Sequence, residues 1–232
     1  MEKLDSLSLV IPAYNEAKNI KNLIINSLRI LPQCAHFFEI IVVDDGSTDN
    51  TFETVNLLTH EIDVLRVIRH CKNLGSGAAI WTGFLSSQYN YVFYTDADGQ
   101  FNISDLKKLI PFTGHYDIVL GYRVNRCDNI IRKIYGRLWN LIINTIFNLK
   151  VRDVNCAFKL FNRRVISSIS IESKGAFTNT EILIKAKAYG YNWIEVGVPH
   201  YPRRYGKQSG GELKVILTGF YELLRSYKGI KK

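Results

Sequence analysis

The chain has 232 residues, 47% of them hydrophobic and 22% charged, which supports a buried core and excludes a disordered chain. Its formal charge of +9 is unevenly placed: residues 1–116 carry 9 basic and 13 acidic side chains, net −4, and residues 117–232 carry 21 and 8, net +13. An acidic half suited to a metal and a basic half suited to an anion or an anionic surface are expected. Cys34, Cys71, Cys127 and Cys156 form no CxxC pair, so a zinc site or disulfide framework is not expected and a reducing compartment is. The start, Met1-Glu2-Lys3-Leu4-Asp5, lacks the basic and apolar runs of a secretory signal. No run reaches the roughly 18–20 apolar residues of a membrane span. The nearest, 138–149, is interrupted by Asn140, Asn144 and Asn148.

The first half alternates strand and helix signals. Strands are predicted at 7–11, 39–44, 64–68, 91–95 and 118–121, and helices at 16–30, 49–60, 75–87 and 104–110. Such alternation predicts βαβ units and a mainly parallel sheet, with ligands at the carboxyl ends of the strands. The second half reads as an amphipathic helix at 128–149, a strand at 157–161, a helix at 179–189 and a further run at 192–198. A basic loop at 201–211 and an amphipathic helix at 212–228 follow. Without repeats or linkers, one domain over 1–232 is expected.

The strand ends hold the unusual residues. Strand one leaves as Pro12-Ala13-Tyr14-Asn15-Glu16. Asn15 is placed to cap the next helix, Tyr14 to stack on a base and Glu16 to accept from ribose hydroxyls. Strand two ends in Asp44-Asp45-Gly46-Ser47-Thr48-Asp49, with Asp49 or Thr48 as a helix cap and one adjacent carboxylate facing a ligand. The segment Asn73-Leu74-Gly75-Ser76-Gly77 forms a tight helix start but lacks the third glycine of a dinucleotide fingerprint, since position 80 is Ile80. Strand four ends in Asp96-Ala97-Asp98-Gly99-Gln100. An Asp-x-Asp pair aims both carboxylates to one side of an extended chain, and with the Gln100 amide oxygen it suits Mg²⁺ or Mn²⁺ shared with substrate phosphates.

Together these motifs resemble family 2, GT-A-type glycosyltransferases. The second half is similar to their dolichyl-phosphate mannose synthase and polyprenyl-phosphate branch. Gly121-Tyr122-Arg123 matches its small-x-Arg strand end. Arg132, Gly136 and Asn140 follow its Arg-x3-Ser-x3-Asn spacing with Gly for Ser, and Asp153 with Ala157-Phe158-Lys159 resembles its Asp…Gly-Phe-Lys segment. Glu181, nine residues before Gly190, fits the branch better than the Glu-Asp base motif of many relatives. The basic loop keeps Arg203-x-x-Gly206 but departs after it, and the Gln-x-x-Arg-Trp motif of processive synthases is missing.

The resemblance implies an α/β, Rossmann-like GT-A fold with a mainly parallel sheet and amphipathic helices in the C-terminal half. Residues 1–121 would form the nucleotide-sugar and metal half, and 122–232 the acceptor and membrane-facing half. It implies inverting, metal-dependent transfer of a hexose from a GDP- or UDP-linked sugar to a polyprenyl monophosphate. Pro12, Tyr14, Glu16, Asp44, Asp45, Gly75 and Asp96 would hold the nucleotide sugar. Asp96, Asp98 and Gln100 would hold the Mg²⁺ or Mn²⁺. Asp98, Arg123, Arg132 and Arg203 would act in catalysis. A peripheral position on the cytoplasmic face of a membrane is expected. Two alternatives are a hydroxyl acceptor in polysaccharide or cell-envelope synthesis, which needs a carboxylate base, and a non-catalytic nucleotide- or nucleic-acid-binding protein. The basic residues are not interleaved with a nucleic-acid reading motif, so nucleic acid is not expected.

Overall fold

Continuous apolar runs in the first strands require cover on both sheet faces, and the computed structural model supplies it. The structure describes residues 2–128, 130–206 and Glu222. Its strands are β1 (Leu4–Ala13), β2 (Ala35–Asp44), β3 (Leu65–Arg69), β4 (Tyr91–Thr95), β5 (Ile118–Val124), β6 (Phe158–Asn162) and β7 (Trp193–Pro199). Its α-helices are α1 (Ala17–Cys34), α2 (Thr51–Thr59), α3 (Ser76–Ser86), α4 (Ile130–Phe147), α5 (Arg163–Ser168) and α6 (Thr178–Ala188).

The sheet order is β3-β2-β1-β4-β6-β5-β7. All pairs are parallel except those of β6, which runs antiparallel to both β4 and β5. Alternating side chains build two cores, because successive strand residues point to opposite faces. Leu9, Ile11, Ile40 and Val42 join Ile20 and Ile24 of α1 on one face. Val10, Ile41 and Val43 join Ile80 and Phe84 of α3, Ile143 of α4 and Leu183 of α6 on the other. Each such fully buried side chain contributes about 1.5–3 kcal/mol. The chain thus crosses from one face to the other between β1 and β4, a switch point that opens a crevice beyond their carboxyl ends.

Every predicted strand of the first half is present, as is the mainly parallel sheet. Four local readings are corrected. Residues 103–108 form a short 3₁₀ helix (Ile103–Lys108), followed by a second at Ile110–Phe112, because Pro111 lacks the N–H that further α-helical growth would use. Helix α1 runs past residue 30 through Pro32 to Cys34. Asn15 does not cap it: at φ +57° its Oδ1 accepts instead from the amides of Thr48 (2.8 Å) and Asp49 (3.3 Å). The start of α1 is served from the start of α2, by Thr51 Oγ1 on Glu16 N (2.8 Å) and Asp49 Oδ2 on Ala17 N (3.3 Å). Asp49 accepts from Thr51 N (3.0 Å), but the cap position of α2 is Asn50, without a side-chain cap bond, rather than Asp49 or Thr48 as expected.

The asparagines that interrupt the apolar run of α4 have structural tasks. Asn140 donates to Arg152 O and accepts from Val154 N, and Asn144 makes the same pair of bonds with Val151. They tie α4 to the loop before β6. Beside them α4 leaves a ridge of Ile130 (70% exposed), Ile134, Leu138 and Leu141 (64%) without cover among the described residues. No described helix is long and apolar enough to cross a membrane. The amphipathic helix predicted at 212–228 lies outside the described residues except Glu222, whose carboxylate accepts from Lys174 N and Gly175 N, each at 3.1 Å.

Candidate active site

The crevice beyond β1 and β4 is a cavity of about 670 Å³ with two chemically opposite walls. Glu16 and the Asp96–Gln100 loop line one, and Arg123, Arg126 and Arg132 line the other. Arg203 joins them.

On the acidic wall, burial pushes the Asp96 carboxyl up to about 7, and the neighbouring Asp98 charge adds to the rise. Its side chain makes no hydrogen bond or ion pair among the described residues. Asp98 is also raised by burial, against the opposing pull of the Gln100 amide, which donates to Oδ1 at 3.0 Å, and of Arg203. The Gln100 side chain is oriented by donating Nε2 to Tyr201 O at 3.1 Å. Glu16 is raised by burial even though Asn19 and Arg203 both favour its charge. Carboxylates crowded in this way are stabilised by a cation. No three His, Cys, Asp or Glu side chains gather as a metal cage among the described residues. A divalent ion here would take the two aspartates plus oxygens from substrate, the mode Mg²⁺ and Mn²⁺ use at diphosphates. The donor set fits.

The basic wall is organised by two buried carboxylates. Asp153 receives Arg123 in a fork, Nε–Oδ2 at 2.6 Å and Nη2–Oδ1 at 2.7 Å. Asp128 sits among three guanidinium groups: Arg126 hydrogen-bonds it, Arg132 lies at 3.5 Å and Arg123 at 3.7 Å. Two carboxylates against three arginines leave net positive charge facing the cavity. Burial, together with repulsion from Arg126 and Arg123, lowers the pKa of Arg132. Arg123 gives two of its five N–H donors to Asp153 and turns Nη1 toward Asp128 at 3.7 Å. Arg203 is held on the acidic wall, with Nη2 on Glu16 Oε1 at 2.5 Å and Nη1 at 3.5 Å from Asp98 Oδ2.

The remaining sequence candidates divide. Pro12, Tyr14, Glu16 and Asp96 line the cavity, whereas Asp44, Asp45 and Gly75 stand behind it. Asp44 is fully buried, 3.4 Å from Arg69 Nε. Asp45 accepts from Leu74 N and Gly75 N, both at 2.9 Å, and contacts His70 Nδ1 at 2.8 Å, so its carboxylate shapes the 73–75 turn. Gly75 has φ +104°, and a Cβ there would lie 2.3 Å from Lys174 O, so only glycine permits this close passage. Glu181 is outside the cavity lining. Burial alone would raise its pKa, but Lys185 at 2.7 Å and the Ser173 hydroxyl and amide hold it low, which makes it a clamp between α6 and the segment before it.

Sequence reasoning missed Arg126, Asp128 and His200, all cavity-lining. Arg126 had a signal in Gly136: a Cβ there would come within 2.5 Å of Arg126 Nη1, so the glycine leaves room for that guanidinium. His200 is pressed down to about 4 by burial and by Arg123, and packs edge-on against Phe101.

The family model "Glycosyl transferase family 2" matches residues 8–170. An undecaprenyl-phosphate 4-deoxy-4-formamido-L-arabinose transferase of Proteus mirabilis is 30% identical over 227 residues, spanning 96% of this chain and 68% of that protein. Its counterpart from Pectobacterium carotovorum is also 30% identical, over 97% and 68%. Among solved structures, Mycobacterium tuberculosis glucosyl-3-phosphoglycerate synthase with Mn²⁺ and UDP-glucose superposes with a TM-score of 0.73 at 17% identity, covering 97% of this chain and 79% of that one. Mannosyl-3-phosphoglycerate synthase from Rubrobacter xylanophilus gives 0.68 at 18%, over 95% and 72%. The strand order, the acidic turn after β4 and the match over residues 8–170 converge: the chain belongs to glycosyl transferase family 2 and is a glycosyltransferase of GT-A fold.

Proposed function

We propose that this enzyme transfers a hexose from a nucleoside diphosphate sugar, GDP- or UDP-linked, to a polyprenyl monophosphate at a membrane surface, with inversion at the anomeric carbon. The observation that carries this reading is the opposition of two walls in one cavity: paired aspartates on one side and an arginine cluster on the other. A diphosphate and a monophosphate both need countercharge, from different directions. The named relatives, undecaprenyl-phosphate sugar transferases, support the acceptor class.

On this reading Tyr14 and Pro12 flank the nucleoside, with Glu16 near the ribose and Asp44, Asp45 and Gly75 shaping the pocket behind them. Asp96, Asp98 and Gln100 would hold Mg²⁺ or Mn²⁺, which supplies positive charge to the leaving diphosphate. Arg123 and Arg132 grip the acceptor phosphate, since guanidinium forks match phosphate oxygens. A monoester phosphate has its second pKa near 6, so the nucleophile is already anionic at neutral pH and no general base is required. One acceptor oxygen forms the new bond to the anomeric carbon as the bond to the diphosphate oxygen breaks, and the electron pair leaves with the diphosphate. Arg203, held beside Asp98 by Glu16, adds positive charge next to the leaving diphosphate. The apolar ridge of α4 supports peripheral contact with the membrane, on its cytoplasmic face.

A donor screen tests this: labelled GDP- and UDP-sugars, Mn²⁺ or Mg²⁺, and polyprenyl phosphate in detergent, scored for labelled glycolipid. One donor is expected to give product, and Asp98→Ala to abolish it with the fold intact by circular dichroism. Product with a hydroxyl acceptor and none with polyprenyl phosphate would replace this reading with the hydroxyl-acceptor one.

A further inference from the structure

A second, smaller cavity of about 440 Å³ opens on the outer flank of α4, lined by Tyr122, Arg126, Lys133, Arg137, Asn140 and Arg152 among others. Its wall toward the active site is shared, because Arg123, Arg126, Asn140 and Asp153 border both cavities. Asp153 is the one carboxylate on the lining, and its two oxygens are taken by the Arg123 fork. The ion pairs of this region join Arg123 to Asp153 and Arg126 and Arg132 to Asp128, so Lys133 and Arg137 have no carboxylate partner among the described residues. The Arg152 guanidinium lies 4.8 Å above the Tyr122 ring, a stacking that leaves its N–H edge open, and its amide donates to Glu195 Oε1. The pocket is therefore strongly cationic and roomy.

Helix geometry decides what it faces. At 3.6 residues per turn, Ile130, Ile134, Leu138 and Leu141 form one exposed ridge, and Lys133, Arg137 and Asn140 fall along the flank beside it. A soluble anion would use the pocket and leave the ridge in water. An anionic phospholipid uses both, its phosphodiester in the pocket and its acyl chains against the ridge.

We propose that this basic pocket is a binding site for the headgroup of an anionic phospholipid, distinct from the acceptor site, and that it seats α4 in the leaflet surface. The proposal rests on the membrane reading above and adds a specific lipid site to it. The opposite flank of α4, through Tyr135 and Trp139, lines the catalytic cavity. Headgroup capture would therefore fix the catalytic mouth at the depth where a lipid acceptor's phosphate lies.

The test is vesicle co-sedimentation of the full chain with pure phosphatidylcholine and with phosphatidylcholine containing phosphatidylglycerol. Lys133→Gln/Arg137→Gln/Arg152→Gln is compared with a charge-matched control on α1 across the sheet, Lys18→Gln/Lys21→Gln/Arg29→Gln. At about 1 kcal/mol per cation near an anionic surface, the pocket variant should lose about 100-fold in partitioning onto phosphatidylglycerol vesicles. It should keep wild-type partitioning onto phosphatidylcholine, while the control keeps both. Undiminished phosphatidylglycerol binding by the pocket variant would overturn the proposal, as would an equal loss by the control, which would signify only a diffuse field. Sugar transfer to polyprenyl phosphate in detergent, measured in parallel, should be unchanged in the pocket variant and certifies its fold. Loss of all transfer in the wild type would count against the acceptor reading and leave the vesicle result standing.

Discussion

Replacing Asp153 by alanine removes the fork that holds Arg123. Both side chains are nearly sequestered, at 12% exposure for Arg123 and 11% for Asp153, and the two contacts are 2.6 and 2.7 Å. Removing one partner of a buried pair strands the other charge, at a typical cost of about 3–5 kcal/mol. Asp128, 3.7 Å from Arg123 Nη1, compensates in part, so a loss near the lower end, ~3 kcal/mol, is expected. Chemical denaturation at pH 7 measures it. Arg123 holds the Asp153 carboxyl below its ordinary range. Its stabilisation is therefore present above the unfolded carboxylate pKa of about 4 and is lost as pH falls through the lower folded value. The gap between wild type and variant should accordingly narrow below about pH 4. Removing both partners, Arg123→Leu/Asp153→Ala, should recover much of the stability but none of the transfer activity, since the arginine itself meets the acceptor. A cost under ~1 kcal/mol for the single variant, or a double variant no more stable than the single one, would refute this account of the basic wall.

Three further predictions probe other parts of the site. His200, pressed from 6.5 down to about 4 in the folded chain, is protonated first in the unfolded chain; stability present above about pH 6.5 is lost as pH falls toward 4, by up to ~3 kcal/mol. His200→Gln should flatten that slope in denaturation curves at pH 7 and pH 5, and an unchanged slope would remove His200 as its source. Gly75→Ala should cost at least ~2 kcal/mol, because the backbone conformation and the Lys174 carbonyl both exclude a Cβ. The reading is a fall in Tm of several degrees, and a wild-type Tm would contradict the close passage. Glu181→Gln should lower stability by roughly 1–3 kcal/mol through the lost Lys185 and Ser173 contacts, with kcat held within about threefold. A collapse of kcat in a well-folded variant would instead make Glu181 a participant in the chemistry.

Much of the frame was legible along the chain. Three strands of the first half end beside a motif that local chemistry explains: Tyr14-Asn15-Glu16 follows β1, which runs on through Pro12 to Ala13, Gly46 turns after β2, and the Asp-x-Asp pair leaves β4. The charge split between halves anticipated the two walls, since the metal-type carboxylates precede residue 117 and the arginines follow it. Less legible was which of two neighbouring carboxylates meets a ligand. Asp44 and Asp45 are adjacent, and only the path of the 73–75 turn shows that Asp45 organises backbone amides.

Periodicity and turn chemistry are local, so the sequence alone determined the order of strands and helices, the acidic loop after β4 and the cationic character of the second half. Tertiary structure decided the rest. The insertion of β6 antiparallel between β4 and β5 brings Asp153 and the 156–159 segment beneath the arginines. The contact of Arg203 with Glu16 joins residues 187 positions apart. Gly136 makes room for Arg126, and two buried aspartates gather three arginines that the sequence had scattered. These arrangements depend on which elements pack together, and the exchange of water for a low-dielectric neighbourhood then sets the charge and strength of each group.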